Sequence, residues 1–190
     1  MLLLASTSRY RRELLSRLRL DFRVAAPHVD ESALPGETAP QTALRLARAK
    51  AYAVAPGHPA ALVIGSDQVA ECNGTRLDKP GTHERAVAQL SMLSGERAVF
   101  HTAVALLDVA SDRLQTRVVP TTVSFRPLAP AQIESYLRAE QPYDCAGSAK
   151  SEGLGIALIE WMDTSDPTAL VGLPLIALVD MLAAEGVGVV

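Results

Sequence analysis

Cysteine and aromatic residues are both scarce in this 190-residue sequence, and each scarcity removes a class of function. The two cysteines, Cys72 and Cys145, lie far apart and outside any C-x-x-C pattern. They support neither a disulfide framework nor a zinc site, and they accord with a reducing cytosol. Aromatic residues make up 4%, too few to build the stacking platforms of a single-strand nucleic-acid binder. The net charge of −3 argues against duplex nucleic acid, because that affinity rests on neutralising many phosphates. Long apolar runs are missing as well. The N-terminal Leu2-Leu3-Leu4-Ala5 is short and has no basic region before it, while Leu170 to Val179 is broken by Gly172 and Pro174. Neither a signal peptide nor a transmembrane span is expected.

Several motifs are also absent: the G-x-x-x-x-G-K-[ST] loop, the G-x-G-x-x-G fingerprint, H-E-x-x-H and the G-x-S-x-G elbow. His28, His58, His83 and His101 show no metal-ligand spacing. What is present fits an α/β domain, with 48% hydrophobic and 21% charged residues and strand-like runs alternating with amphipathic helical ones. The length suits one domain over residues 1–190. Strands are predicted at Leu2–Ala5, Phe22–Ala26, Ala61–Ile64 and Ile156–Ile159, with a long antiparallel pair at Val99–Asp108 and Leu114–Phe125. Helices are predicted at Arg11–Leu18, Gln41–Val54, Thr82–Leu93, Ala129–Glu140 and Pro174–Ala184. Asn73-Gly74 predicts a tight hairpin that pairs Val69–Glu71 with Arg76-Leu77. The long pair and the apolar C-terminal helix offer surfaces for a homodimer.

The densest chemical signal is at the start. A strand ends in Ser6-Thr7-Ser8 and enters Arg9-Tyr10-Arg11-Arg12, so a helix N-terminus brings free N–H groups, hydroxyls and guanidinium forks to one place. A polyphosphate needs that set of donors. Other acids and bases sit after strands, where α/β folds place ligands: Glu31 after Val29-Asp30, and Asp67 after Ile64-Gly65-Ser66. The only lysines, Lys50, Lys79 and Lys150, stand out against 15 arginines. Each residue also has an ordinary reading. Arg11 and Arg12 read as solvated first-turn side chains, and Lys50 as a helix-end charge facing the dipole. Glu31 reads as a loop acid, Gln68 as a partner for backbone groups, Tyr10 as packing, and Glu152 beside Lys150 as an exposed pair of little worth. Asp67 is the strongest candidate, because an unpaired carboxylate near a buried strand end is costly without a cation.

In chain order, Leu4-Ala5-Ser6-Thr7-Ser8 with Arg11-Arg12-Glu13-Leu14-Leu15, Val29-Asp30-Glu31, Ala47-Arg48-Ala49-Lys50-Ala51, Ile64-Gly65-Ser66-Asp67-Gln68, Asp78-Lys79-Pro80 and Val171-Gly172-Leu173-Pro174 resemble the Maf family. The resemblance implies an elongated mixed sheet flanked by helices, akin to the inosine triphosphatases. It implies a cytoplasmic enzyme that splits a nucleoside triphosphate into monophosphate and pyrophosphate with a divalent cation, Mg²⁺ or Mn²⁺. In that pattern Asp67 is the proton acceptor, Glu31 and Asp67 hold the metal, and Ser8, Arg11, Arg12, Lys50, Lys79 and Lys150 bind the substrate. Tyr10, Gln68 and Glu152 fall at the positions that select the base. The dTTP/UTP subgroup is expected to carry arginine, threonine and glutamine there. This chain is closer to the subgroup acting on 7-methyl-GTP, although that subgroup typically has tryptophan where Tyr10 stands and proline where Arg9 stands. A methylated guanine is cationic and suits an aromatic face and a carboxylate. The alternatives are a dTTP/UTP pyrophosphatase and a nucleotide-binding division regulator that does not hydrolyse. An RNA-cap or tRNA binder using the Arg9-to-Arg23 stretch fits the acidic, aromatic-poor remainder less well.

Overall fold

A computed structural model describes residues 1–190. The chain forms β1 (Leu2–Ala5), α1 (Arg9–Ser16), β2 (Phe22–Ala25), α2 (Ala39–Val54), β3 (Leu62–Cys72), β4 (Thr75–Leu77), α3 (His83–Leu93), β5 (Arg97–Asp108), β6 (Arg113–Phe125), α4 (Pro130–Glu140), β7 (Ile159–Thr164) and α5 (Leu175–Ala184). The sheet runs β2-β1-β3-β5-β6-β7, with β4 paired to β3. It is mixed: β1 is parallel to β2 and β3, whereas β4 is antiparallel to β3 and β7 to β6. No helix is long and apolar enough to cross a membrane.

Two compact units divide the chain. The first comprises Met1–Gln68, His101–Val119 and Asp166–Val190. Its core gathers Leu2 and Leu4 from β1, Leu14 and Leu15 from α1, Ile64 from β3, Val104 and Leu106 from β5, and Leu178, Met181 and Leu182 from α5. β1 and β2 end together, level with Gly65 of β3, since Ala5 is in register with both Ala25 and Gly65, while β3 runs on past that point. Their outgoing segments therefore emerge at one edge, the position at which open α/β sheets hold ligands. The second unit comprises Val69–Phe100 and Pro120–Ser165. Leu90 and Leu93 of α3, Phe125 of β6, and Ile133 and Leu137 of α4 are fully buried in it.

Local signals account for most element ends. Ser8 caps α1 by accepting from the Arg11 N–H at 3.4 Å, and Thr82 caps α3 by accepting from Arg85 at 3.3 Å. Asn73 and Gly74 both adopt positive φ, 48° and 76°, and turn β3 into β4 with Ala70 opposite Leu77.

Two expected strands need correction. β3 does not stop at Ile64 but continues to Cys72, so Gly65, Ser66, Asp67 and Gln68 are strand residues rather than a loop. The strand predicted at Ile156–Ile159 is a 3-10 turn over Leu154–Leu158, and sheet pairing starts only where Ile159 meets Phe125. There the N–H groups of Gly153 and Gly155 are both taken by the Lys150 carbonyl, which curls the segment on itself.

Candidate functional site

The length of β3 decides the geometry of the first unit. Successive strand residues point to opposite faces, so Gly65 and Asp67 share one face while Ser66 and Gln68 share the other. Helix α2 covers the first face. Its buried stripe runs Ala43, Leu46, Ala47, Lys50, Ala51 and Val54, which places Lys50 on the inner side rather than at a solvated helix end. A Cβ on Gly65 would stand 2.0 Å from the Ala47 carbonyl oxygen, so only glycine lets α2 come this close.

At that approach the Lys50 Nζ meets Asp67 Oδ1 at 2.6 Å and Glu31 Oε1 at 2.6 Å. Lys50 is 5% exposed and Asp67 7%, whereas the Glu31 side chain keeps 58% of its surface. The two carboxylates predicted to act together thus converge from separate segments, on a buried ammonium. Neighbouring groups offset much of the cost of burying such charges, and removing one partner is costly.

The segment carrying Glu31 is fastened to α2. Arg45 donates from Nε to Glu37 Oε1 at 2.6 Å and from Nη2 to Glu37 Oε2 at 2.9 Å, and its Nη2 also reaches the Ser32 carbonyl at 2.9 Å. Hydrogen bonding from Arg45 holds the Glu37 carboxyl down to about 2, against its ordinary 4.5. A carboxyl depressed by folding adds stability that is complete above 4.5 and is lost as pH falls from there through about 2. The stability difference between wild type and Glu37→Gln is therefore expected to stay constant near neutral pH and to close across that acid window. Urea-unfolding midpoints measured against pH check this.

The other face of β3 meets the segment that precedes α5. The Ser66 hydroxyl lies 2.8 Å from the Ala103 carbonyl oxygen and 2.9 Å from that of Gly172. Gly172 also accepts from Arg11 Nε at 2.8 Å, so one carbonyl ties the first arginine of the pattern to the strand bearing Asp67. Burial lowers the Arg11 pKa from its ordinary value, and the charges on Asp67 and Glu31 oppose that shift. Gln68 donates its amide to Thr102 Oγ1 at 2.8 Å and to the Ala169 and Leu170 carbonyls at 3.1 and 3.0 Å. Its N–H₂ group is thus engaged with protein.

Asp166, 2% exposed, accepts from Thr168 N and Oγ1 and from the Ile176 N–H at the start of α5, which holds the Gly172 segment in place. Ser66, Thr102, Asp166 and Thr168 were not singled out in the sequence. Asp166-Pro167-Thr168 carried a turn signal that could have been read.

At the helix N-terminus Ser8 is half-buried and Arg12 exposed. The Arg9 guanidinium lies 4.7 Å from the Tyr10 ring centroid and donates to the Tyr10 hydroxyl at 2.6 Å. The Tyr10 ring therefore already accepts a cation on its face.

In the second unit Lys79 is exposed on the link from β4 to α3, and Glu152 is exposed on the segment after α4. Lys150 is not paired with Glu152 as the sequence suggested. Its Nζ donates to Glu140 Oε1 at 2.5 Å, and the other Glu140 oxygen accepts the Leu154 N–H at 2.8 Å. Those two bonds hold the Glu140 carboxyl below its ordinary range. The Lys150 N–H donates to the Tyr136 hydroxyl at 3.0 Å. Glu152 thus rides on a loop pinned at both ends by α4, and nothing in the spacing of the sequence announced Glu140 as the pin.

Glu31 and Asp67 are hard donors, and the oxygens they bring together, Oε1 and Oδ1, are both engaged by the Lys50 ammonium. No group of three or more His, Cys, Asp or Glu side chains is placed so that it could hold a metal ion by itself. The remaining oxygens of the two carboxylates would suit a Mg²⁺-like ion, which typically binds through one or two carboxylates plus waters and substrate phosphates.

A family model described as Maf-like protein matches residues 1–185. A 7-methyl-GTP pyrophosphatase of Thiobacillus denitrificans is 64% identical, over 99% of this chain and 94% of its own. Proteins of the same name from Polaromonas sp. and Methylobacillus flagellatus are 62% and 57% identical, over 98% and 100% of this chain and 85% and 98% of theirs. Among solved structures, the Staphylococcus aureus Ham1 protein aligns over 66% of this chain and 70% of its own, with 22% identity and a TM-score of 0.44.

Proposed function

Because this chain belongs to the Maf family, we propose that it hydrolyses 7-methyl-GTP to 7-methyl-GMP and pyrophosphate, clearing a modified nucleotide from the cytoplasm. One observation carries the reading: Glu31 and Asp67, from separate segments, meet at Lys50, buried on α2, and the strand that bears Asp67 also reaches Arg11 through Ser66 and the Gly172 carbonyl. High identity to the 7-methyl-GTP pyrophosphatases over the full chain supports the choice of substrate. The two free cysteines accord with a reducing compartment.

In this mechanism Asp67 accepts a proton from the attacking water as its oxygen bonds to the α-phosphorus. The bond from the α-phosphorus to the oxygen bridging it to the β-phosphorus breaks, and pyrophosphate leaves with that oxygen. Lys50 holds Asp67 and Glu31 in place. Arg11, held at Nε by the Gly172 carbonyl, binds phosphate oxygens together with Ser8 and Arg12, and Lys79 and Lys150 of the second unit are the further phosphate ligands that the family resemblance implies. A divalent ion, Mg²⁺ or Mn²⁺, held by Glu31 and Asp67 would add Lewis-acid stabilisation and lower the pKa of bound water. The resemblance assigns the cationic base to Tyr10 and the guanine edge to Glu152 of the second unit, while Gln68 braces the segment beside Arg11.

A panel of 7-methyl-GTP, GTP, dTTP, UTP and CTP, scored by kcat/KM with pyrophosphate detection, tests the reading. The highest value is expected for 7-methyl-GTP, and a preference for dTTP or UTP would overturn the base assignment. The absence of pyrophosphate release from every nucleotide, with binding retained, would make the protein a nucleotide sensor. Tyr10→Ala is expected to reduce the ratio of 7-methyl-GTP to GTP turnover by about tenfold, in line with a cation–π contribution of ~0.5–2 kcal/mol.

A further inference from the structure

Gln89 lies on α3, half-buried and outside every motif that the function absorbs. Its amide has two ends, and each is committed to a different loop. The Nε2 group donates to the Asp78 carbonyl at 2.8 Å, one residue before Lys79. The Oε1 atom accepts from the Ser148 hydroxyl at 2.6 Å, at the entrance to the segment that carries Lys150 and Glu152. A single side chain thus spans the loop with a proposed phosphate ligand and the loop with a proposed base-selecting carboxylate.

Ser148 shows why this contact is more than incidental. It is fully buried, and it holds φ at 56° although it is not glycine. A side chain in the left-handed region costs energy and persists only where its surroundings fix it, often at sites that act. Gly147 before it has φ 69°, and a Cβ there would lie 3.4 Å from the Phe100 ring. The chain thus makes two consecutive left-handed steps in a confined space, and the hydroxyl at the second step finds its partner in Gln89. The same two loops also meet through the Gly81 N–H, which donates to the Tyr143 carbonyl at 3.0 Å.

We propose that Gln89 is a positioning residue: its amide sets the Lys79 loop through one end and the Glu152 loop through the other, so phosphate affinity and base preference share one support. This inference rests on the pyrophosphatase reading above. The two ends separate experimentally. Gln89→Glu keeps an oxygen for Ser148 and loses the donor to Asp78. It is expected to raise KM about tenfold for 7-methyl-GTP and GTP alike, with kcat within about twofold, because small misplacements of binding groups cost up to ~100-fold. Ser148→Ala breaks only the other end, and its expected effect is a several-fold fall in the ratio of 7-methyl-GTP to GTP kcat/KM. Gln89→Leu should show both effects, and Gln89→Leu combined with Ser148→Ala should lower the ratio no further than Gln89→Leu alone.

A support that served stability alone would lower the melting temperature and leave the base ratio unmoved. A wild-type enzyme that cleaves 7-methyl-GTP, together with variants that keep both KM and the ratio within twofold, would overturn the inference and leave the reading intact. The same holds if the ratio losses of Gln89→Leu and Ser148→Ala simply add. Wild-type protein that releases no pyrophosphate from 7-methyl-GTP would overturn the reading and this inference with it. If Gln89→Leu fails to fold, the Gln89→Glu and Ser148→Ala results decide alone.

Discussion

Asp67→Asn is expected to lower kcat for 7-methyl-GTP by roughly a thousandfold, the middle of the range for loss of a positioned acid–base group. The substitution preserves shape and removes the proton acceptor and one anionic oxygen of the proposed cation site. Its effect on folding is expected to be much smaller. Lys50 is 5% exposed, so stripping its ammonium of all partners would cost on the order of 3–5 kcal/mol. In this variant, however, the asparagine amide oxygen can still face Nζ, and the Glu31 carboxylate remains 2.6 Å away. Single-turnover kinetics together with thermal unfolding separate the two effects. Turnover within tenfold of wild type would remove Asp67 as the base; lost turnover with an intact melting transition and retained nucleotide binding would keep it.

Sequence signals that act over a few residues were legible, whereas those that depend on distant partners were not. The Asn73-Gly74 hairpin is of this kind, and the Ser8 and Thr82 caps found in the fold are equally local, because each satisfies backbone groups within four residues of itself. The extent of β3 is not local. Ser66, Asp67 and Gln68 look like loop residues until their partners arrive: the Ala103 and Gly172 carbonyls for Ser66, Lys50 for Asp67, and Thr102 with Ala169 and Leu170 for Gln68. Polar residues that are fully paired can occupy a buried strand, and no window of sequence reveals that pairing. Lys50 is a case that could have been read more closely. It falls four residues after Leu46 and four before Val54, on the apolar stripe of α2, and a lysine on such a stripe requires a buried acid. The resemblance implies Glu31 and Asp67 as partners on a metal, and the fold brings them together on the Lys50 ammonium. That Lys150 would turn to Glu140 was not, because α4 and the loop after it meet only in the folded chain.

The largest effect on stability is expected from the smallest substitution, Gly65→Ala. A methyl group at this position would sit 2.0 Å from the Ala47 carbonyl oxygen and 2.8 Å from the Ala51 nitrogen. Both are backbone atoms of α2, so no side-chain rotation can relieve the overlap, and the helix must withdraw from the sheet by about 1 Å or more to restore ordinary contact. Overpacking typically costs ~1–3 kcal/mol where side chains can adjust. With a rigid helix backbone as the obstacle, the upper end or beyond is expected, which for a chain of this length lowers the melting temperature by about 10 °C. Function should fail before the fold does. Lys50 lies between Ala47 and Ala51 on the displaced helix, so the same withdrawal carries its Nζ away from Asp67 and Glu31 and loosens the two carboxylates. At temperatures where Gly65→Ala is still folded by circular dichroism, kcat/KM should therefore already be down by at least tenfold, an effect of misplaced catalytic groups rather than of unfolded protein. A variant with the wild-type melting temperature and full activity would mean that α2 does not rest on Gly65, and the placement of Lys50 between the two carboxylates would fall with it.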